Sequence, residues 1–442
     1  MSDLLSIGAS GLRAYKTALG TVGDNIANAQ TVGYARRSAR MAEVSNGSTS
    51  IAYRNTDRSD GVEVRAIDRA TDQFRIGEAR LATSADAKAG AISDWMAVAE
   101  TALSDGDNGV GAALAQVFAA GDALAAEPVE RQPRAAFLAS MDEAAQAIRT
   151  SAGDLQRAAS GVGDAAQSSV DGLNSDLVTL ASINLTIKTT GPGTATFVEL
   201  SDQRDGLVDR ISARLNVDIV TASDGTTALS SNGQPLINGI AHATLSMAIA
   251  SDGRLAFAAN GTSLQPTGGA LSGLASAANF VADRRGALDD MAQDFATAIS
   301  GWQAAGQTAA GAPGTALLSA SGGAITLSVL QSDPDALALA APGGVANGNA
   351  LALATVRAGS GIEAQWDDLV DAQAQATASA NTQRAVTSAR QTTANAARDG
   401  VEGVDLDHEA ADLLRFQQAY EGSARIIQTA KELLDTILGL FR

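Results

Sequence analysis

The sequence predicts a mainly α, multidomain chain that is elongated and folded back on itself, with paired coiled-coil-like helices at its ends, a helical middle layer and a small β-rich tip. Two heptad seams and a change of composition between them carry that prediction. Near the start Leu5, Leu12, Leu19 and Ile26 fall seven apart, with Gly8, Tyr15, Val22 and Ala29 three residues after each. Near the end Leu406, Leu413, Tyr420, Ile427, Leu434 and Phe441 keep the same interval. A helix striped every seven residues needs a facing helix, and the first candidate is the other end of the same chain.

Taken in order, the first helix reads from Ser2 to Ala29, and Gly33 supplies a turn before alternation takes over. Strand-like patterns follow over Tyr34 to Val44 and Gly61 to Ile67. Residues 71–187 are rich in Ala, Leu, Asp and Gln with few breakers, which favours several long helices with a break at Asp105-Gly-Asp-Asn-Gly109. A further helix spans Glu199 to Leu215. Beyond it lie Ser223-Asp-Gly225, Asn232-Gly233, Asn238-Gly239, Asp252-Gly253 and Asn260-Gly261, each a favoured hairpin corner, so the stretch up to Leu264 reads as one β-rich region. Helix returns from Ala270 to Gln303, a strand is expected at Ala324 to Leu330, glycines cluster at Gly343 to Gly348, and Ile362 to Arg398 is again helix-compatible.

Composition excludes several classes of function. At 442 residues the chain can hold two to four domains, yet only 4% of it is aromatic, so its cores must rest on Ala, Leu, Val and Ile. A net charge of -18 repels phosphate backbones and anionic lipid, which argues against nucleic acid and membrane surfaces as partners. There are no cysteines, hence no disulfides or thiolate metal sites. Ser2 and Asp3 stand where a secretory signal carries basic residues, and no uncharged apolar run reaches the roughly 18 residues of a membrane span.

Candidate chemistry is thin. The histidines are His242 and His408. His242 sits among hairpins without a surrounding motif, which favours an ordinary surface or core role. His408 lies between Asp407 and Glu409, but consecutive helical residues do not converge on one ion; Asp405, Asp407 and Glu409 read better as a helix start that caps free amides and complements the dipole. Gly161-Val-Gly-Asp-Ala-Ala166 has the spacing of a dinucleotide loop without the preceding strand that such a loop requires. No phosphate loop or calcium loop is present, so no enzyme, metal or cofactor is expected.

The seams themselves leave two readings open, an ordinary intramolecular core or an assembly surface. Two features favour assembly: the seams occupy both extreme ends, and in the last helix Phe416, Ile426, Leu433, Ile437 and Leu438 widen the apolar face beyond what one partner helix would cover.

These same ends carry a resemblance. Ser10-Gly-Leu12, Asp24-Asn25-Ile-Ala-Asn28 and Thr31-Val-Gly33-Tyr34 with Arg36 resemble the N-terminal motif of the flagellar rod, hook and hook-associated axial proteins. Gly403-Val-Asp-Leu-Asp-His-Glu-Ala-Ala411 running into Phe416-Gln417-Gln418-Ala-Tyr420 is similar to the C-terminal motif of the hook-associated members at the hook-filament junction. Leu200-Ser-Asp-Gln-Arg-Asp-Gly-Leu207, Gly233-Gln-Pro-Leu-Ile-Asn-Gly239, Asp333-Pro-Asp335 and Gly348-Asn-Ala-Leu-Ala-Leu353 resemble that family in the expected order. Asp24, Asp405 and His408 depart from it.

The resemblance implies a non-catalytic structural protein of the extracellular bacterial flagellum, exported by the flagellar type III apparatus without a cleavable signal. It also implies self-association into a ring, contacts with the hook protein and with a filament-side second junction protein, and a cytoplasmic chaperone holding the C-terminal helix before export. Assembly is expected through Leu5, Leu12, Tyr15, Leu19, Val22, Ile26, Leu406, Leu413, Phe416, Tyr420, Ile427, Leu434 and Ile437. The expected organisation is a terminal assembly domain from residues 1–65 and 399–442, a helical domain from 66–198, 270–310 and 356–398, and a β-rich outer domain from 199–269 and 311–355. A hook or rod subunit is the alternative within this class. An adhesin or hydrolase working through the β-rich region is the alternative outside it.

Overall fold

The computed structural model describes residues 2–31, 33–45, 59–106 and 109–440. Val32 of the N-terminal motif, Asp107 and Asn108 of the expected break, and Phe441 of the last seam lie outside the described residues. The chain forms two compact units. Residues 1–84, 172–244 and 388–442 make the first, and residues 85–171 and 245–387 the second.

In the first unit the N-terminal helix α1 (Ser2–Asn28) packs against the C-terminal helix α9 (Leu406–Leu440), as the two seams require, and against an antiparallel hairpin of β1 (Arg37–Ser45) and β2 (Ser59–Arg69). The starts of α2 (Gln73–Ala102) and the ends of α4 (Arg131–Thr189) and α8 (Ile362–Glu402) join it, together with α5 (Ala195–Arg214). A four-stranded antiparallel sheet completes the unit: β3 (Asp218–Thr221), β4 (Thr227–Ser231), β5 (Gln234–Asn238) and β6 (Ala241–His242). Asn232 and Gly233 take φ of 48° and 77° between β4 and β5, the left-handed pair that a tight hairpin corner needs. Asn184, fully buried in α4, clamps this sheet. Its Nδ2 donates to the carbonyls of Thr227 and Gly239 at 2.8 and 2.9 Å, and its Oδ1 accepts from the Thr227 N–H at 3.0 Å.

The second unit has one contiguous core. Leu114, Phe137, Met141, Ile148, Leu155, Leu288, Phe295 and Trp302 come from α3 (Val110–Ala126), α4 and α6 (Gly269–Ala305). Phe137 and Trp302 meet edge to face at 5.6 Å. Apart from Phe118, Trp366 and Met291, the rest of this core is Ala, Leu, Val and Ile, as the low aromatic content demands.

Three expectations change. The hairpin-rich stretch is not one β region. Strands β3 to β6 belong to the first unit, whereas β7 (Leu245–Ile249), β8 (Leu255–Ala259) and β9 (Thr262–Leu264) form a separate three-stranded sheet in the second. Ala324 to Leu330 is not a strand but a 3-10 turn at Ala324–Thr326 followed by the two-residue β11 (Ser328–Val329), which pairs with β10 (Leu318–Ser319). The reason lies in two side chains distant in sequence: Asp289 takes the Ala324 N–H at 2.6 Å and Arg149 takes the Leu327 carbonyl, so they occupy groups that a ladder would have used. Residues 348–355, expected in the β-rich part, open helix α7 (Gly348–Ser360), whose apolar run was masked by the glycines before it.

Asn184→Ala should cost about 2 kcal/mol, because it strips partners from both backbone groups of the buried Thr227 and from the turn carbonyl of Gly239. A lower midpoint in urea unfolding with an unchanged slope checks this.

Candidate assembly interface

The pairing of α1 with α9 starts from small residues. The most buried positions of α1 are Gly8, Ser10, Gly11, Ala14, Ala18, Thr21, Val22 and Asn25, while Leu5, Leu12 and Leu19 lie half-buried along the edge of that face and Ile26 is 39% exposed. A Cβ on Gly8 would stand 2.6 Å from Ile427 Cγ1, and one on Gly11 would stand 2.5 Å from Ser423 Oγ. The two glycines thus allow the close approach; at position 11 it is the Ser423 side chain that a larger residue would have to turn aside. Further along, Tyr15 meets Phe416 with ring centroids 6.4 Å apart. On α9 the covered residues are Glu409, Ser423 and Ala430, with Leu413, Phe416, Ile427 and Leu434 half-buried beside them.

One row of α9 is thus covered, the row of Leu413, Ile427 and Leu434 beside it is half-covered, and the rest of its apolar surface is open. Leu406, Tyr420, Ile426, Leu433, Ile437 and Leu438 remain between 37% and 64% exposed. Of the expected assembly residues, Val22 is buried, Leu406, Tyr420, Ile437 and Ile26 face outward, and the rest are partly covered within the chain. Gln417 and Gln418 are exposed.

The N-terminal motif residues close a polar latch at the far end of the pair. Asn25, fully buried, donates from Nδ2 to the Arg37 carbonyl at 2.8 Å and to Glu409 Oε2 at 3.0 Å. Its Oδ1 accepts from the Tyr34 hydroxyl at 2.9 Å and from the Arg37 N–H at 3.0 Å. Arg36 Nε sits 3.0 Å from Glu409 Oε1, and the Arg36 N–H donates to the Glu402 carbonyl at 2.8 Å. Gly33 takes φ of 80° where the chain turns back, and Asn28 Nδ2 caps onto the Asp24 carbonyl at 2.9 Å. Burial pushes the Tyr34 phenol up to about 12 despite the Arg37 guanidinium 4.7 Å from its ring.

Sequence reasoning missed the role of Glu409. It was assigned to the helix start with Asp405 and Asp407, and Asp405 does cap that start, accepting from the Asp407 N–H at 3.0 Å. Asp407 and His408 are exposed, while Glu409 turns inward to 1% exposure. The signal available was spacing, since Glu409 falls seven before Phe416 on the covered row.

The Leu200 to Leu207 motif forms a second polar centre. Asp202 pairs with Arg37 at 2.6 Å and lies 2.7 Å from Arg69 Nε, an ion pair whose N–H is not aligned as a hydrogen bond. Asp205 pairs with Arg69 and Arg204, both at 2.8 Å, and Arg204 Nη1 donates to the Gly225 carbonyl at 2.6 Å. Arg80 and Arg398 converge on Asp209 at 2.5 and 2.7 Å. Arg398 also holds Glu402 at 2.6 Å. The centre thus ties the hairpin to α5, α2 and α8 within one unit. Burial would raise the Asp205 carboxyl, but Arg204, Arg69 and Arg80 outweigh it and hold it below its usual range. At Asp202 burial wins over Arg69 and Arg37, and the carboxyl is raised. Burial likewise works against the Arg398 charge, and Asp209 and Glu402 overcome it to raise that group. No helix of the described residues is long and apolar enough to cross a membrane.

A heptad-paired terminal module with motif residues at its latch defines a flagellar axial protein. The chain belongs to the family of the flagellar hook-associated protein FlgK, whose helical-domain model matches residues 96–318. Models of the basal body rod proteins match its ends, at residues 5–34 and 401–440. It is similar to flagellar hook-associated protein 1 of Escherichia coli, 26% identical over 242 residues that cover 54% of this chain and 44% of the relative. It is also similar to flagellar hook-associated protein 1 of Bacillus subtilis, 24% identical over 490 residues covering 97% of this chain and 96% of the relative. The chain matches less than half the length of the Escherichia coli relative. The flagellar hook junction protein FlgK of Burkholderia pseudomallei shares the fold with a TM-score of 0.50 at 21% identity, over 55% of this chain and 46% of that one. These relatives are structural components of the flagellum.

A carboxyl whose folded value is lowered adds stability that is present above its unfolded value and is lost as pH falls through the folded one. Asp205→Asn should therefore cost about 3 kcal/mol near neutral pH, with the gap to the parent narrowing as pH drops below about 4. Urea unfolding of both chains across that interval measures it.

Proposed function

We propose that this chain is a structural component of the hook-filament junction, assembling through its terminal helices. The observation that carries the reading is the apolar surface left on both flanks of α9 after α1 has taken its own row. Ile426 and Leu433 lie on one flank, Leu406, Tyr420 and Leu438 on the other, and Ile437 stands open where the covered row continues past Ala430. Apolar rows of this breadth on a helix are stable only when further helices cover them, and copies or relatives carrying the same paired module supply such helices.

On this reading the terminal module builds a ring of like subunits that stacks on hook protein at one side and supports a filament-side second junction protein at the other. The remaining segments of both units, the expected helical and β-rich parts among them, face outward. Before assembly the same α9 flanks would aggregate, so a cytoplasmic chaperone shields them until the flagellar type III apparatus exports the chain to the cell exterior. The rod-protein likeness of both ends also fits a hook or rod subunit. The helical-domain match over residues 96–318 favours the junction.

Deleting the gene in its host separates the two. A junction role predicts completed hooks, no filaments and unpolymerised flagellin in the medium. A hook or rod role predicts missing hooks, and intact filaments would contradict both. At the residue level, Ile426→Asp or Leu433→Asp should abolish filament growth while the purified chain keeps its helical signal, because each puts a charge on a flank that its own α1 leaves open. Normal swimming by both variants would remove α9 from the interface.

A further inference from the structure

The covered face of the terminal pair is nearly periodic, and its latch is not. Phe416, Ser423 and Ala430 follow one another every seven residues on α9, and across from them Gly8 and Gly11 of α1 carry no side chain, with Ala18 and Val22 buried further along the helix. Sliding α9 by one heptad, a shift of about 10 Å, sets similar surfaces together again. The helices run antiparallel, with Gly11 beside Ser423, Tyr15 beside Phe416 and Asn25 beside Glu409. One heptad of slip would bring Ala18 to Glu409, or Asn25 to Phe416. In either alignment a carboxylate or carboxamide now at 1% exposure or less would lose its partners. Arg36, held to the chain by its own N–H on the Glu402 carbonyl, could not follow Glu409.

We infer that Asn25, Arg36 and Glu409 are the register determinants of the terminal pair. They select one among heptad-related alignments that the rest of the seam scarcely distinguishes, in the way that a buried polar pair sets register in coiled coils. The selected alignment fixes where the open flanks of α9 stand relative to α1. That consequence rests on the assembly reading above, whereas the choice of register does not.

The chain has no cysteine, so cross-linking can report alignment directly. A Cβ on Gly11 would lie 3.2 Å from Ser423 Cβ, close to disulfide range. Three pairs are made in the full chain: G11C/S423C for the native register, and G11C/A430C and G11C/F416C for the two slipped ones. With Asn25, Arg36 and Glu409 intact, oxidation should trap the first pair and leave the other two at background. Combined with Asn25→Leu/Glu409→Leu, which keeps the seam apolar, a slipped pair should rise at least about tenfold. Trapping of G11C/S423C alone in that variant would overturn the inference. If the double substitution loses the helical signal, Arg36→Met in the same three pairs decides by the same criterion. Slipped pairs in a variant that still restores filament growth to the deletion strain would uphold register selection and count against the assembly reading.

Discussion

The first unit depends on one buried carboxylate. Glu409 is held by Asn25 from α1 and by Arg36 from the strand entry, so α1, the turn at Gly33 and α9 must all be in place before its charge is compensated. An unpaired carboxylate at that depth would cost several kcal/mol, more than the small residues of the seam could offset. The next residue extends the constraint: Arg37 gives its N–H and carbonyl to Asn25 and its guanidinium to Asp202. Two adjacent arginines thus couple the terminal pair to the Asp202, Asp205 and Asp209 centre on α5.

The same device recurs where irregular backbone meets helix. Asn184 clamps the four-stranded sheet in the first unit. In the second, Asn349 donates from Nδ2 to the Trp302 and Ala338 carbonyls, and Gln303 takes both the Ala336 carbonyl and the Ala338 N–H. A chain poor in aromatic residues packs its helices closely on alanine and leucine. It then fastens its loops with buried carboxamides, each of which would leave backbone groups unsatisfied if removed.

Much of this was legible in residue order. The heptad seams foretold that the ends meet, and the five turn pairs placed every corner of the two small sheets, because Asn-Gly and Asp-Gly encode left-handed backbone locally. What escaped was non-local. No spacing says that β6 and β7 part into different units, or that Asp289 and Arg149 would dissolve a strand at Ala324. The leucine row of α1 looked like the contact, yet glycine and alanine beside it allow the nearer approach, and that preference depends on the facing surface of α9. Glu409 stood in plain view among other acids, and only the partner presented by Asn25 distinguishes it from a solvated helix start.

The central claim is that the latch acts as one unit across the two ends of the chain. A double-mutant cycle on Asn25→Ala and Glu409→Ala in the full chain, read by urea unfolding, tests it most directly. A latch that acts as one unit gives a coupling energy above about 1 kcal/mol between residues 384 positions apart in sequence. Additivity within about 0.5 kcal/mol would contradict it.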